Sequence, residues 1–421
     1  MSRIPIIPTL AMLAGGSAMA ADLADVQFHG FASQGYLSTT NNNYYGRTTG
    51  GGTFEFNEFG LNATARPVDR LRIGVQLFAG DQGKYGNDEL KLDWAYGTYD
   101  LPMPVKWADL AVTAGRFKTN HGLYNDYRDL DMTRSTVFLP MTVYPTTFRD
   151  LYIAANGFQL SGSVRAGIFG SLDASGFIGT QNVDNKAGTP VADQFGQGLF
   201  AVTSINVKRF DGASLTWNTP LDGLRFKGSF LHASGITASG NVQEGVGFGT
   251  PVPGMSSVIT FPATGVTYQL PTWQSIILGG EYQHGNLTLA CEYLNEYYKA
   301  VYDFDAATSA LVGSRHNEEY SRIQGAYGSA AYRFHPKWEG CIGYNWMMLD
   351  DGNPQSVAND ELGRHEHRGM SFALRFDPIE HWLIKAEFQR NRGTLNVSTA
   401  DNPAGLSEYW NMFALKTTFD F

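Results

Sequence analysis

The chain has 421 residues, 43% hydrophobic, 13% aromatic and only 17% charged, with 48 glycines and two cysteines. So aromatic a chain is not disordered, two cysteines exclude a disulfide scaffold, and no stretch beyond the N-terminus approaches the roughly 20 apolar residues of a membrane helix. Forty acidic against 31 basic side chains, a formal charge of −9, argue against nucleic acid as a partner.

Met1–Ala20 reads as a secretory signal, with Arg3 in front, an apolar run from Ile4 to Leu13, and the small residues Ala18 and Ala20 before an expected cut at Ala21. From about residue 26 to Phe421, segments of about ten residues alternate apolar with polar or small side chains. Short and long connections alternate between them. That pattern predicts a single all-β domain over 21–421, a transmembrane antiparallel β-barrel of about 16 strands with short periplasmic turns and long external loops. The strands are expected to start near Gln27, Phe54, Leu71, Leu90, Leu110, Arg149, Ser171, Ala213, Leu224, Trp273, Leu287, Glu318, Trp338, His367, Trp382 and Glu408. Phe200–Phe210 fits either a strand or part of a loop. Tight turns are expected at Pro67–Arg70, Pro220–Gly223, His284–Asn286, His335–Lys337 and Asp377–Glu380, where Pro, Gly, Asp and Asn cluster. The long polar connections are read as Thr40–Gly52, Lys118–Phe148, Gln181–Asp211, Ile236–Thr272, Ala300–Asn317, Asp350–Glu366 and Gly393–Ser407.

A charged side chain on the lipid face costs about 2–4 kcal/mol at the bilayer midplane, so the charges set the phase of each strand. Trp338, Ile342, Tyr344 and Trp346 are expected toward lipid, and Glu339, Gly343, Asn345, Lys385, Glu387 and Gln389 inward. Trp94, Tyr99, Trp338, Trp382, Tyr409 and Trp410 are read as interfacial girdle residues. Tyr409, Asn411, Phe413, Leu415, Thr417, Phe419 and Phe421 share one face of the last strand, and the chain closes on an aromatic carboxyl terminus. With Phe28–Tyr36, Phe54–Glu58 and Gly115–Lys118, that strand resembles the Gram-negative outer-membrane porin superfamily, nearer to its phosphate-selective and uncharacterised porin-like barrels. The resemblance implies an outer-membrane location and an assembly signal in Tyr409, Phe419 and Phe421, read by the barrel-assembly machinery. It also implies contact with lipid and lipopolysaccharide, a homotrimer, and passive diffusion of small hydrophilic solutes or ions.

A barrel this wide holds an aqueous channel, whose selectivity follows from its narrowing and its charges. In porins the loop after the fifth strand folds inward, which makes 118–148 the candidate constriction, with Lys118, His121, Asp126, Arg128, Asp129, Asp131 and Arg134 and then Arg149 and Asp150. The plain alternative is a solvated external loop. The wall is expected to carry Arg72, Lys91, Arg116, Arg225, Lys227, Arg322, Arg375 and Lys385 against Glu58, Asp93, Glu281, Glu292 and Glu387. Such ladders either create a transverse field or simply pair and stiffen the wall. No metal, cofactor or catalytic site is expected: His365-Glu366-His367 lacks helical spacing, Gly245–Gly249 lacks a strand–helix frame, and no Gly-x-Ser-x-Gly occurs. Cys291 and Cys341 are expected as free thiols facing opposite sides. The competing functional reading is a closed or adhesive barrel.

Overall fold

A sheet satisfies its backbone inside a bilayer only by closing on itself. The computed structural model describes residues 26–82, 88–145, 149–183, 200–242, 265–306, 309, 315–352, 360–398 and 401–421. The leader assigned to 1–20, the end of the 118–148 loop and Gly245–Gly249 lie outside them. Sixteen antiparallel strands form one closed barrel, each paired with its neighbours in sequence and the first with the last. They are β1 (Gln27–Thr39), β2 (Phe56–Val68), β3 (Leu71–Gln82), β4 (Lys91–Asp100), β5 (Ala108–Lys118), β6 (Ala154–Arg165), β7 (Ser171–Thr180) and β8 (Phe200–Asn218). The second half comprises β9 (Leu224–Val242), β10 (Gly265–His284), β11 (Leu287–Phe304), β12 (His316–His335), β13 (Trp338–Asp350), β14 (Glu366–Ile379), β15 (Trp382–Arg392) and β16 (Tyr409–Asp420).

Most expected starts fall within two residues of these, and the tight turns lie where Pro and Gly placed them. Arg149 does not open a strand: Arg149–Tyr152 is one helical turn, α1, and β6 begins at Ala154. β8 and β10 begin well before Ala213 and Trp273, so much of Gln181–Asp211, Ile236–Thr272 and Ala300–Asn317 is strand. β8 to β12 run 18 to 20 residues, against 10 to 14 elsewhere. At about 3.3 Å per residue the barrel wall rises on that side by roughly 20 Å of strand.

The alternation in this tall wall changes phase, which is why it read as loop. Nearer the short turns, Leu215, Trp217, Ile276 and Leu278 are exposed outside, and Ser214, Ser229 and Ser275 are buried inside. Nearer the long loops the apolar side chains turn inward: Ile205, Val207, Ile236, Ala238, Tyr268 and Leu270 are buried, while Thr203, Asn206 and Lys208 are exposed. The change occurs at Gly235, whose φ of 63° L side chains rarely adopt, and at the β10 irregularity around Pro271.

The lipid-type face follows the expected phase. Ile342, Tyr344, Phe413, Leu415 and Phe419 are exposed, and Asn345, Lys385, Glu387 and Gln389 are buried on the inner side. Phe421 exchanges two 3.0 Å backbone bonds with Gly30, closing the cylinder. Two girdle assignments are corrected. Trp94 is buried with its ring over Gly74, in the row of inward Gln76, and Trp410 lies inside, bonded through Nε1 to the Gly393 carbonyl at 3.1 Å. Both share the inward parity of their strands. Cys291 is exposed on the outer row and Cys341 buried on the inner one, both free.

Candidate functional site

Between β5 and β6 the chain crosses the barrel interior. Two 3-10 turns shape it, Asn125–Tyr127 and Asp131–Thr133. An irregular backbone inside a barrel has no ladder to satisfy its N–H and C=O groups, so the wall must supply partners. Asn125 ties the loop's two ends together, its amide nitrogen donating to the Thr119 carbonyl (3.0 Å) and the Tyr152 carbonyl (2.9 Å).

The loop docks through two arms. The first meets β9 to β12: Leu123 N–H donates to Glu292 Oε1 (2.7 Å), and the Tyr144 and Tyr327 hydroxyls donate to Glu292 Oε2 (2.6 and 2.8 Å). Tyr124 donates to Glu281 (2.9 Å), Arg225 pairs with Glu281 (2.9 Å) and reaches the Tyr127 hydroxyl (3.0 Å), and Lys227 donates to Asn120 (3.1 Å). The second arm meets β14 to β16. Val137 and Phe138 N–H donate to Glu387 (2.7 and 3.1 Å), Lys385 donates to the Asp131 and Thr136 carbonyls (2.7 and 2.9 Å), and Arg375 to that of Met132 (2.8 Å). Asp131 anchors this arm, held by Arg134 (2.5 Å), Lys416 (2.7 Å) and the Thr418 hydroxyl (2.7 Å).

Between the loop and the inner faces of β2, β3 and β16 lies a narrow gap lined by Glu58, Arg128, Asp129, Arg134, Arg149 and Lys416, with Phe56 and Phe138. Asp129 pairs with Lys118 (2.8 Å) and Arg149 (2.9 Å), Arg149 also reaches Asp93 (3.1 Å), and Lys416 pairs with Glu58. Burial alone would raise the Asp129 carboxyl, but Arg149 and Lys118 outweigh it and hold it well below the usual carboxylate range. Arg128 differs. Burial, then Arg149, pulls its guanidinium down to about 10, still charged at neutral pH. Its one side-chain hydrogen bond among the described residues is a weak 3.4 Å contact with Asn125.

The structure therefore brings together Lys118, Arg128, Asp129, Asp131, Arg134, Glu58, Asp93, Lys385 and Glu387, and along the other arm Arg225, Lys227, Glu281 and Glu292. Many of these wall charges hold the loop's backbone. Arg116 turns its Nε to the Asp93 carbonyl at 2.8 Å. Lys91 stands at the long-loop end of its strand, Arg72 is exposed at the short-turn end, and Asp126 is an exposed loop residue. Arg322 is a correction: it shares the outward parity of exposed Tyr320 and Tyr332 and binds Asn295 (2.7 Å), because β12 turns Tyr327, not its even positions, inward. Sequence reasoning missed Lys416, although it alternates with the outward Leu415 and Thr417 row. Thr418 shares that inward parity, whereas the loop residue Tyr144 carries no such signal.

His121 is buried and stacked on Tyr152 at 5.7 Å, with Ser275 at 3.4 Å from Nε2. Burial first, then Lys227 and Arg128, lowers its pKa from 6.5 to about 3. The folded state thus binds fewer protons than the unfolded one between those values. Stability is complete above pH 6.5 and falls as pH drops toward 3, by up to about 1.4 kcal/mol per unit. His121→Phe, which keeps the stacked ring, should flatten the urea midpoint of the detergent-folded protein between pH 6.5 and 4. An unchanged pH profile would refute this assignment.

No protein-family description and no curated protein matches the chain. Solved structures do match over 94% of it. OmpF of Salmonella typhi in complex with daunomycin aligns at 11% identity and a TM-score of 0.56, with 97% of that chain covered. The outer-membrane channel DcaP of Acinetobacter baumannii aligns at 11% and 0.52, also over 97% of its chain. The anion-selective porin from Comamonas acidovorans aligns at 10% and 0.51, over 99% of its chain. At these identities the likeness establishes the fold: a porin-type 16-stranded barrel.

Proposed function

We propose that this barrel is a passive outer-membrane channel for small hydrophilic solutes, narrowed by its inward loop and biased toward anions. One observation carries the bias: the gap beside the loop is lined by four cations (Arg128, Arg134, Arg149, Lys416) and two carboxylates (Glu58, Asp129), and among the described residues Arg128 makes no salt bridge. The net acidity of the chain does not oppose this, because charges outside the gap are farther from a passing ion and screened by salt. A unit charge at 4 Å is worth about 4 kcal/mol at an effective dielectric of 20, so the groups in the gap dominate. The proposal is of a channel and not an enzyme. Among the described residues no acid meets His121 Nδ1, so the Ser275–His121 pair lacks the third member of a triad there. The homotrimer and the assembly role of Tyr409, Phe419 and Phe421 belong to the same proposal, supported by the apolar outer face and the Phe421–Gly30 closure.

The closed-barrel reading has its own support, since the gap is small, about 40 Å³. Planar-bilayer recording in a potassium chloride gradient separates the two. Discrete openings with a reversal potential of chloride sign are expected, moving toward zero in Arg128→Gln and beyond it in Arg128→Glu. A wild-type potential of potassium sign would end the anion assignment, and electrical silence the channel itself.

A further inference from the structure

Behind the loop, away from the cation-lined gap, a cavity of about 300 Å³ lies between residues 132–140 and the inner faces of β10 to β15. Its size falls at the lower bound of small-molecule sites. Its charged lining is balanced, with Glu281, Glu339 and Glu387 against Arg134, Arg333 and Arg375, so no ionic solute is favoured. Its neutral lining is unusual. Asn345 on β13 and Gln389 on β15 point inward, both more than nine-tenths buried, and among the described residues the side-chain oxygen of each has no hydrogen-bond partner. Beyond the lining of the cavity, Asn391 on β15 and His367 on β14 also lack side-chain partners among the described residues.

Gly369 separates the two asparagines in the ladder, paired with Asn345 on one side and Asn391 on the other. A Cβ at that glycine would stand 2.6 Å from Asn391 Oδ1 and 3.0 Å from Asn345 Nδ2. The two amide heads already close over that glycine, so even a methyl there would have to push them aside. Buried polar groups without partners are costly, and two such amide oxygens facing one cavity, Asn345 Oδ1 and Gln389 Oε1, call for an occupant. The amide oxygens accept, and the Thr288, Ser329 and Ser371 hydroxyls in the same lining both donate and accept. A simple anion accepts only and a simple cation does not accept, whereas a hydroxyl does both.

We infer that this cavity binds a small uncharged polyhydroxylated solute, of polyol or monosaccharide size, against Asn345 and Gln389. The inference deepens the channel reading by naming a second solute class for it, held behind the loop. Binding does not require conduction, so the two can fail separately.

The test is saturation-transfer NMR on the full chain folded in detergent micelles, with xylitol as probe and inorganic phosphate and choline as competitors. Saturable transfer to xylitol is expected, unaffected by either ion. Asn345→Leu and Gln389→Leu, close in volume, should each weaken it at least about tenfold, in line with the loss of a buried hydrogen bond. Circular dichroism must show both variants folded. Should either fail to fold, Gly369→Ala, whose methyl would push the Asn345 amide from its place, substitutes for it with the same expectation. No saturable transfer would mean that water alone occupies the cavity. Transfer that survives both leucine variants, or that phosphate abolishes, would equally overturn the site. A protein that binds xylitol yet is electrically silent would lose the channel reading and keep this one.

Discussion

Asp131→Asn is expected to release the second arm of the inward loop while leaving the barrel closed. Asp131 lies fully inside, within 2.7 Å of Lys416 and 3.5 Å of Lys385, and both ammonium groups are themselves buried. Removing one partner of a buried ion pair typically costs 3–5 kcal/mol, because the remaining charge stays desolvated. Lys416 keeps Glu58 and Lys385 keeps two carbonyls, so the lower end, about 3 kcal/mol, is the reasonable figure. That is roughly a hundredfold in the population of the undocked arm. Arg128 and Arg134 should then become trypsin sites in detergent-folded protein, and bilayer currents should grow larger and noisier. A variant as resistant as the wild type would refute the anchoring role. Acid should do the same only at low pH. Burial alone would raise the Asp131 carboxyl, but Lys416, Lys385 and Arg134 prevail and place it well below 3.8. Its contribution is complete above that value and lost as pH falls toward the folded pKa, so at pH 5 Asp131 still anchors the arm.

How much of this could be read beforehand depends on the range of the physics. Strand count, turns and closure rest on alternation and on Pro and Gly at fixed places, all within ten residues of one another. The low wall obeyed that logic to within about two residues, apart from the start of β6, where a helical turn at Arg149–Tyr152 precedes Ala154. The tall wall did not, because its apolar residues switch from the outer to the inner face at Gly235 and Pro271, and a scan for one phase sees the switch as a loop. The same parity argument would have placed Lys416 inside and Arg322 outside, had it been applied to each charge separately. The docking pairs are a different matter. Val137 and Glu387 are 250 residues apart, Leu123 and Glu292 169. Nothing local marks a glutamate as the acceptor for a distant backbone N–H, so side chains expected as ladder charges hold the loop instead.

Glu292→Leu should free the other arm, and the comparison shows whether the arms act independently. Glu292 accepts three hydrogen bonds in a buried setting, from Leu123 N–H and the Tyr144 and Tyr327 hydroxyls. Leucine fills much of the space and accepts none. Each stranded donor costs about 1–3 kcal/mol unless it finds water. The hydroxyls can rotate but the amide cannot, so a total near 3 kcal/mol is expected. Glu292→Gln retains one acceptor oxygen and should lose less. The geometry assigns distinct outcomes. Glu292→Leu should open chymotrypsin sites at Tyr124 and Tyr127 and leave Arg134 protected, because Asp131 still holds that residue at 2.5 Å. Asp131→Asn should do the reverse. Asn125 links the loop ends through Thr119 and Tyr152, so the double variant should leave a tethered but undocked loop, with a current step above that of either single change. Identical cleavage patterns in the two single variants would mean that the loop undocks as one body, and the two-arm description would then be wrong.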